Sequence, residues 1–204
     1  MALKVSVIIP VIRPERAKDC IQSVLENSGI PKEEFEIIAE EDTERIGCPK
    51  MVKRLVEKSN APTVCFIGDD TIPKENFLRN ALEAMKKLPN GWGLVSLNDG
   101  FRIPLLEEGK VAAHWLADKR LLPLLDGEFF NTGYYHCWCD NELAERCSEM
   151  NRYIYAENAE IIHNHPAIDK KWWDEHYDRV YAPDINIFDM LRFRKRKRMK
   201  WKDE

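Results

Sequence analysis

The sequence predicts an α/β fold, with a mostly parallel central sheet flanked by helices. Three observations predict it. Through the first hundred residues, short apolar and β-branched runs alternate with segments whose apolar residues recur at helical spacing. Runs of the first kind read as strands of a parallel sheet, buried on both faces. Proline and glycine punctuate the joins, as at Pro14, Gly29 and Pro89-Asn90-Gly91. Finally, 204 residues at 44% hydrophobic and 32% charged can bury a core as one domain, and that composition excludes disorder, collagen and a disulfide-stapled miniprotein.

The elements follow in order. Residues 5–10 (VSVIIP) form the first buried strand, and Pro14 opens a helix with Ala17, Ile21, Val24 and Leu25 on one face. Residues 35–39 (FEIIA) are the second strand, and Met51, Val52, Leu55 and Val56 mark the second helix. Residues 63–67 (TVCFI) are the third strand, ending in Gly68-Asp69-Asp70. Phe77, Leu78, Ala81, Leu82 and Met85 then line a third helix, and residues 92–97 (WGLVSL) are the fourth strand. Such alternation implies helices on both faces of the sheet.

The second half is less regular. A short helix or loop is expected at 114–119 and a glycine-containing segment at 126–133. A helix is expected at 140–150 with Asp140 as N-cap. Short strands at 153–155 and 161–162 and helices at 170–180 and 185–197 complete the chain.

Charge is unevenly spread. Residues 192–204 hold eight Arg or Lys against two acids, a local +6 within a formal net charge of −4, so the first 191 residues carry −10. This pattern reads as a body, residues 1–191, with a basic C-terminal tail, 192–204. The tail is either a solvated terminus or a contact for anionic lipid, nucleic acid or a phosphorylated acceptor. An acidic body is not a nucleic-acid-binding domain, and no specific nucleic acid is expected. The N-terminal apolar run is short and breaks at Pro10 and Pro14, unlike a signal peptide, so the expected location is cytoplasmic, with peripheral membrane contact through the tail. The six cysteines are irregularly spaced and read as reduced thiols. Cys137, Cys139 and Cys147 lack the paired spacing of a zinc knuckle.

In an open α/β sheet, ligands bind beyond the carboxyl ends of the strands. Glu40-Glu41-Asp42, Asp69-Asp70 and Asn98-Asp99 follow three successive strands. Converging carboxylates repel, and a divalent cation relieves that repulsion. Hard oxygen ligands favour Mg²⁺ or Mn²⁺, which can hold a diphosphate. The competing reading for each cluster is a helix cap or a solvated turn.

KVSVIIP, then FEIIAEED, then a strand closing in GDD resembles the start of an inverting family 2 glycosyltransferase of the GT-A type. The resemblance covers roughly residues 4–165 and implies a single GT-A-like, Rossmann-like domain. Residues 1–100 would be its nucleotide-binding half and 101–191 its acceptor and catalytic-base half. It implies that Asp42 contacts the nucleotide base with Glu41 beside it, and that Pro10 and Val11 line the nucleotide through backbone contacts. Asp70 falls on the metal ligand, with Asp69 near ribose and metal. Asp140-Asn141-Glu142-Leu143 is similar to the family's Glu-Asp-x-Glu-Leu, which carries the catalytic base onto Asp140. Ala159-Glu160-Ile161-Ile162-His163 matches a segment whose His completes the metal site, and His165 competes for that role. In an extended stretch His163 and His165 would share a face; otherwise both are surface residues near a turn.

The function implied is metal-dependent transfer, with Mn²⁺ or Mg²⁺, of a sugar from a nucleotide-diphosphate donor, UDP foremost by family frequency. The acceptor is a hydroxyl on an unspecified glycan, lipid or protein. Lys50 and Lys53 are either diphosphate contacts or surface lysines, and Trp138 and Tyr134 either an acceptor wall or core. The chain departs from the family where Val11-Ile12-Arg13 replaces Thr-Tyr-Asn and Thr43-Glu44 replaces Gly-Ser. The alternatives are an inactive nucleotide-sugar-binding protein and a nucleotidyltransferase, the latter weakened by the missing glycine-rich phosphate loop. GDD also occurs in viral RNA polymerases, which need a far longer chain.

Overall fold

The central sheet runs β2-β1-β3-β6-β5-β7-β4 in the computed structural model, which describes residues 2–202. Its strands are β1 (Val5–Val11), β2 (Phe35–Glu41), β3 (Thr63–Phe66), β4 (Thr71–Pro73), β5 (Leu94–Asn98), β6 (Trp115–Asp118) and β7 (Tyr153–His163). β1 pairs in parallel with β2 and β3, and β5 with β7. β6 runs antiparallel between β3 and β5, and β4 antiparallel along β7. Among the described residues, five of the seven strands therefore point one way, as expected of a mostly parallel sheet.

The helices are α1 (Pro14–Asn27), α2 (Cys48–Lys58), α3 (Phe77–Met85), α4 (Ile103–Glu107), α5 (Cys139–Glu149), α6 (Glu175–Val180) and α7 (Pro183–Arg198). Alternation along β1 separates two cores. Val5, Val7 and Ile9 face α1 and α3 through Cys20, Val24, Phe77 and Leu78. Ile8 faces the opposite side, where Val52 and Leu55 of α2, Leu143 and Cys147 of α5 and Phe193 of α7 pack with Phe66 and Trp115.

Several sequence expectations change in the structure. The segment 114–119 is not a helix or loop but holds β6, whose four residues are all buried between β3 and β5. The strands expected at 153–155 and 161–162 are one strand, β7, with a register shift opposite Leu97 and Asn98. Asp140 is not the N-cap of α5. Trp138 is, with φ +68°, and Asp140 lies in the first turn. The helix expected at 170–180 divides into a 3₁₀ turn at Lys170–Trp172 and α6.

Beyond residue 191 the chain stays attached. α7 crosses that boundary without a break, and Phe193, Arg196 and Trp201 are buried. Glu142 accepts two hydrogen bonds from Arg196, both 2.8 Å, and one of 2.7 Å from Tyr134 Oη. Arg146 approaches the same carboxylate at 3.3 Å. The reason is pairing: a buried guanidinium survives only against a matching carboxylate. No helix among the described residues is long and apolar enough to cross a membrane.

Candidate active site

The topology collects the polar strand ends at one edge. Asp69-Asp70 follow β3, Asp99 follows β5, and His163 closes β7. Because β6 is antiparallel, its first end meets the last end of β3, so His114, just before β6, arrives at the same edge. All but Asp99 line a cavity of about 590 Å³.

At its floor, Asp70, His114 and His163 offer one carboxylate oxygen and two imidazole nitrogens within 4.8 Å of one another. His163 Nε2 lies 3.7 Å from Asp70 Oδ1. Behind them, Asp99 Oδ2 is 3.3 Å from His163 Nδ1 and 3.7 Å from His114 Nδ1. A carboxylate behind a ligating imidazole fixes its tautomer and aims the other nitrogen at the metal. Here one carboxylate faces both imidazoles. Gly68 leaves room for this arrangement: a Cβ there would stand 2.7 Å from Asp70 Oδ1 and 3.4 Å from His114 Nε2. Two imidazoles with a carboxylate suit Mn²⁺ better than Mg²⁺, which prefers an all-oxygen shell.

Titration follows these contacts. Burial acts to raise the Asp99 carboxyl, yet the two histidines hold it well below the usual range. Burial likewise opposes Asp70, but His163 and Arg13 bring it below its ordinary value. Asp69 is pushed up by burial and by the neighbouring Asp70 charge, with Arg13 in opposition. Burial, then His163, depresses His114.

Asp69 is tied to the end of β1. Its Oδ2 accepts from the backbone N–H groups of Ile12 (2.7 Å) and Arg13 (2.6 Å). Arg13, part of the Val11-Ile12-Arg13 departure from the Thr-Tyr-Asn pattern, occupies the heart of the site. Its Nη1 lies 3.0 Å from Asp69 Oδ1 and 3.7 Å from Asp70 Oδ2. Its Nε and Nη2 donate to Asp174 at 2.5 and 3.2 Å, and its guanidinium lies over the Tyr177 ring. Tyr177 Oη donates to Asp70 Oδ2 at 2.5 Å. Thus α6 and the residue before it cover the acidic pair.

The remaining expected residues divide. Pro10 and Asp42 line the cavity. Asp42 uses its carboxylate to accept from the N–H groups of Ile46 and Gly47, both at 2.8 Å. Glu41 and Lys50 are exposed and Val11 is buried in the core, and none of the three lines the cavity. His165 lies in the cavity wall with its ring 4.8 Å from that of His163. Its nitrogens are already engaged: Nδ1 accepts from Ala167 N–H at 3.0 Å and Nε2 meets Tyr181 Oη at 2.9 Å. Asp140 lines the cavity from α5, and its carboxyl is pushed up by burial against the opposing charge of Arg102. Trp138 lines the cavity beside it, whereas Tyr134 is core.

No protein-family model and no curated protein matches the sequence. Solved structures do match. A mannosyltransferase, PcManGT, from Pyrobaculum calidifontis, solved with GDP-Man and Mn²⁺, superposes with a TM-score of 0.64 at 17% identity over 80% of this chain. S. aureus TarS residues 1–349 superposes at 0.62 and 14% identity over 83% of this chain. The same TarS segment in complex with UDP-GlcNAc gives 0.60 and 14% identity over 76%. The chain spans 57%, 63% and 56% of those three structures. At these identities the likeness is one of fold: the chain is similar in fold to GT-A-type glycosyltransferases.

Proposed function

We propose that the protein is a metal-dependent, inverting glycosyltransferase using a nucleotide-diphosphate sugar. The observation that carries this reading is the Asp70–His114–His163 cluster sharing one cavity with Asp140 at the strand-end edge of that fold. UDP is the first nucleotide to test on the family resemblance, and GDP the second because PcManGT was solved with GDP-Man.

Asp70, His114 and His163 would hold the metal, with Asp99 orienting both imidazoles and Asp69 anchoring the β1 end that borders the donor. A bound divalent cation would neutralise the departing diphosphate. His165, with both nitrogens engaged, belongs to the wall and not to the ligand set. Asp140 is the base. Its raised pKa, caused by burial, makes it a stronger proton acceptor than an exposed carboxylate. The acceptor hydroxyl gives its proton to Asp140, and its oxygen forms the new bond to the anomeric carbon. The carbon–phosphate-oxygen bond breaks and the nucleoside diphosphate leaves with the electron pair. One displacement from the opposite face inverts the centre.

The test is a thermal-shift panel of UDP, GDP, CDP and their sugars, each with Mn²⁺ and with EDTA. A ligand at about 100 times its dissociation constant adds ~2.7 kcal/mol. Asp140→Asn keeps that Mn²⁺-dependent shift and loses transfer by about 10²- to 10⁴-fold. Absence of any nucleotide-dependent shift would sink the reading. A shift without turnover in the unmodified protein, whatever the acceptor supplied, would favour the binding-protein alternative.

A further inference from the structure

The helix α7 has two working faces. Inward, Asn186 and Phe193 line the cavity. Asp189, fully buried, accepts from the backbone N–H groups of Tyr135, His136 and Cys137, each at 2.9 Å. Outward, Ile187 (52% exposed), Phe188 (46%) and Leu191 (56%) stand in water, and Phe188 packs its edge against the exposed Tyr135 with ring centroids 5.1 Å apart. Four large exposed apolar side chains thus make one patch. One to two turns further on, the same outer stripe continues as Arg194 and Arg198, both exposed. Arg196, turned inward, is matched by Glu142, and the exposed Lys197 reaches Glu145.

An exposed apolar patch beside exposed cations offers a bilayer two contacts, apolar tips for the acyl boundary and positive charge for anionic headgroups. We propose that the outer face of α7 docks this domain onto an anionic lipid surface. Charge complementarity selects that occupant. The first 191 residues carry −10, so an anionic surface repels the rest of the molecule and attracts this end alone. Nucleic acid would satisfy the cations but leave Ile187, Phe188 and Leu191 in water. A second copy of the chain would bring a second set of cations to the same contact. Docking in this orientation holds the cavity one helix thickness, about 10 Å, from the headgroups.

Sedimentation with vesicles tests this without donor or metal, so its outcome is separate from that of the transfer reading. The protein is expected to bind vesicles of phosphatidylcholine with phosphatidylglycerol, to bind phosphatidylcholine alone far less, and to be released by salt. Arg194→Gln with Arg198→Gln should weaken binding about thirtyfold, from ~1 kcal/mol per basic residue at the surface. Phe188→Ser with Leu191→Ser should weaken it with the charge intact, and both variants should melt with the unmodified protein. Equal binding to both vesicle types, or no binding to either, overturns the proposal. So does a dimer in light scattering that the Phe188 and Leu191 changes dissolve, or duplex-oligonucleotide binding as tight as vesicle binding and indifferent to those changes.

Discussion

Arg13 brings its positive charge to the carboxylate that a divalent cation would share, and replacing it with methionine separates the two effects. Its guanidinium is 12% exposed between Asp69 and Asp70, which are 5% and 8% exposed, with Asp174 on its other side. Methionine keeps an apolar stem against Tyr177 and leaves the acidic pair without its counter-ion. Removing one partner of a buried ion pair costs about 3–5 kcal/mol. At roughly 2–4 °C per kcal/mol for a domain of this size, Tm in EDTA should fall by about 6–20 °C. Metal affinity should move the other way. Two unit positive charges about 4 Å apart repel by ~4 kcal/mol at an effective dielectric of 20, and a third of that is about tenfold in affinity. Arg13→Met should therefore bind Mn²⁺ at least about tenfold more tightly, and saturating Mn²⁺ should return most of the lost Tm. Calorimetry in EDTA and in Mn²⁺, with Mn²⁺ titration followed by electron paramagnetic resonance, reads both effects. An unchanged Tm in EDTA, or Mn²⁺ binding equal to or weaker than that of the unmodified protein, would refute the argument that the guanidinium neutralises the acidic pair and opposes the metal.

Three further predictions follow from the same contacts. His114→Ala should lower Mn²⁺ affinity while His165→Ala leaves it unchanged, and Asp99→Ala should cost about 10- to 100-fold as the group behind both imidazoles; equal losses at 114 and 165 would undo the ligand assignment. Glu142→Ala leaves Arg196 and Arg146 without their shared carboxylate, so stability should fall by about 3–5 kcal/mol and trypsin should cut more readily around 194–200; a Tm within 2 °C, roughly the effect of less than 1 kcal/mol, would contradict it. Acid should destabilise the fold from pH 6.5 downward. Burial first, then neighbouring positive charge, depresses His136 to about 3 and His165 and His176 to about 4, so the unfolded chain binds more protons in that window. Their contribution is complete above pH 6.5 and is lost as pH falls towards 4, at ~1.4 kcal/mol per pH unit for His136 and less for the more solvated pair. A urea midpoint flat between pH 7 and 5 would show the reverse.

Local pattern is enough to specify the first half of the fold. β1, β2 and β3 and the three helices between and after them carry their own periodicity, so local pattern and burial agree. It also determined that acids stand at the strand ends, because the motif after β3 and the one opening α5 are contiguous in the chain. Which of these side chains meet depends on contacts between segments far apart in the chain. The four buried residues of β6 have no alternation to read, and their strand identity comes from the space between β3 and β5. His114 lies 49 positions before His163, and it joins the site because the antiparallel β6 brings its leading end there. His163 and His165 look equivalent while β7 is imagined to continue. It ends at His163, so the turn beyond takes Nδ1 of His165, and Tyr181, just after α6, takes Nε2. Likewise Arg13 reads locally as a lost family residue, and α7 past residue 191 as a charged tail. Asp69, Asp70 and Asp174 give the first its place and Glu142 gives the second its own. The physical reason is common to all four. Periodicity reports what a segment buries, whereas a buried charge is placed by a partner that the chain brings from far away.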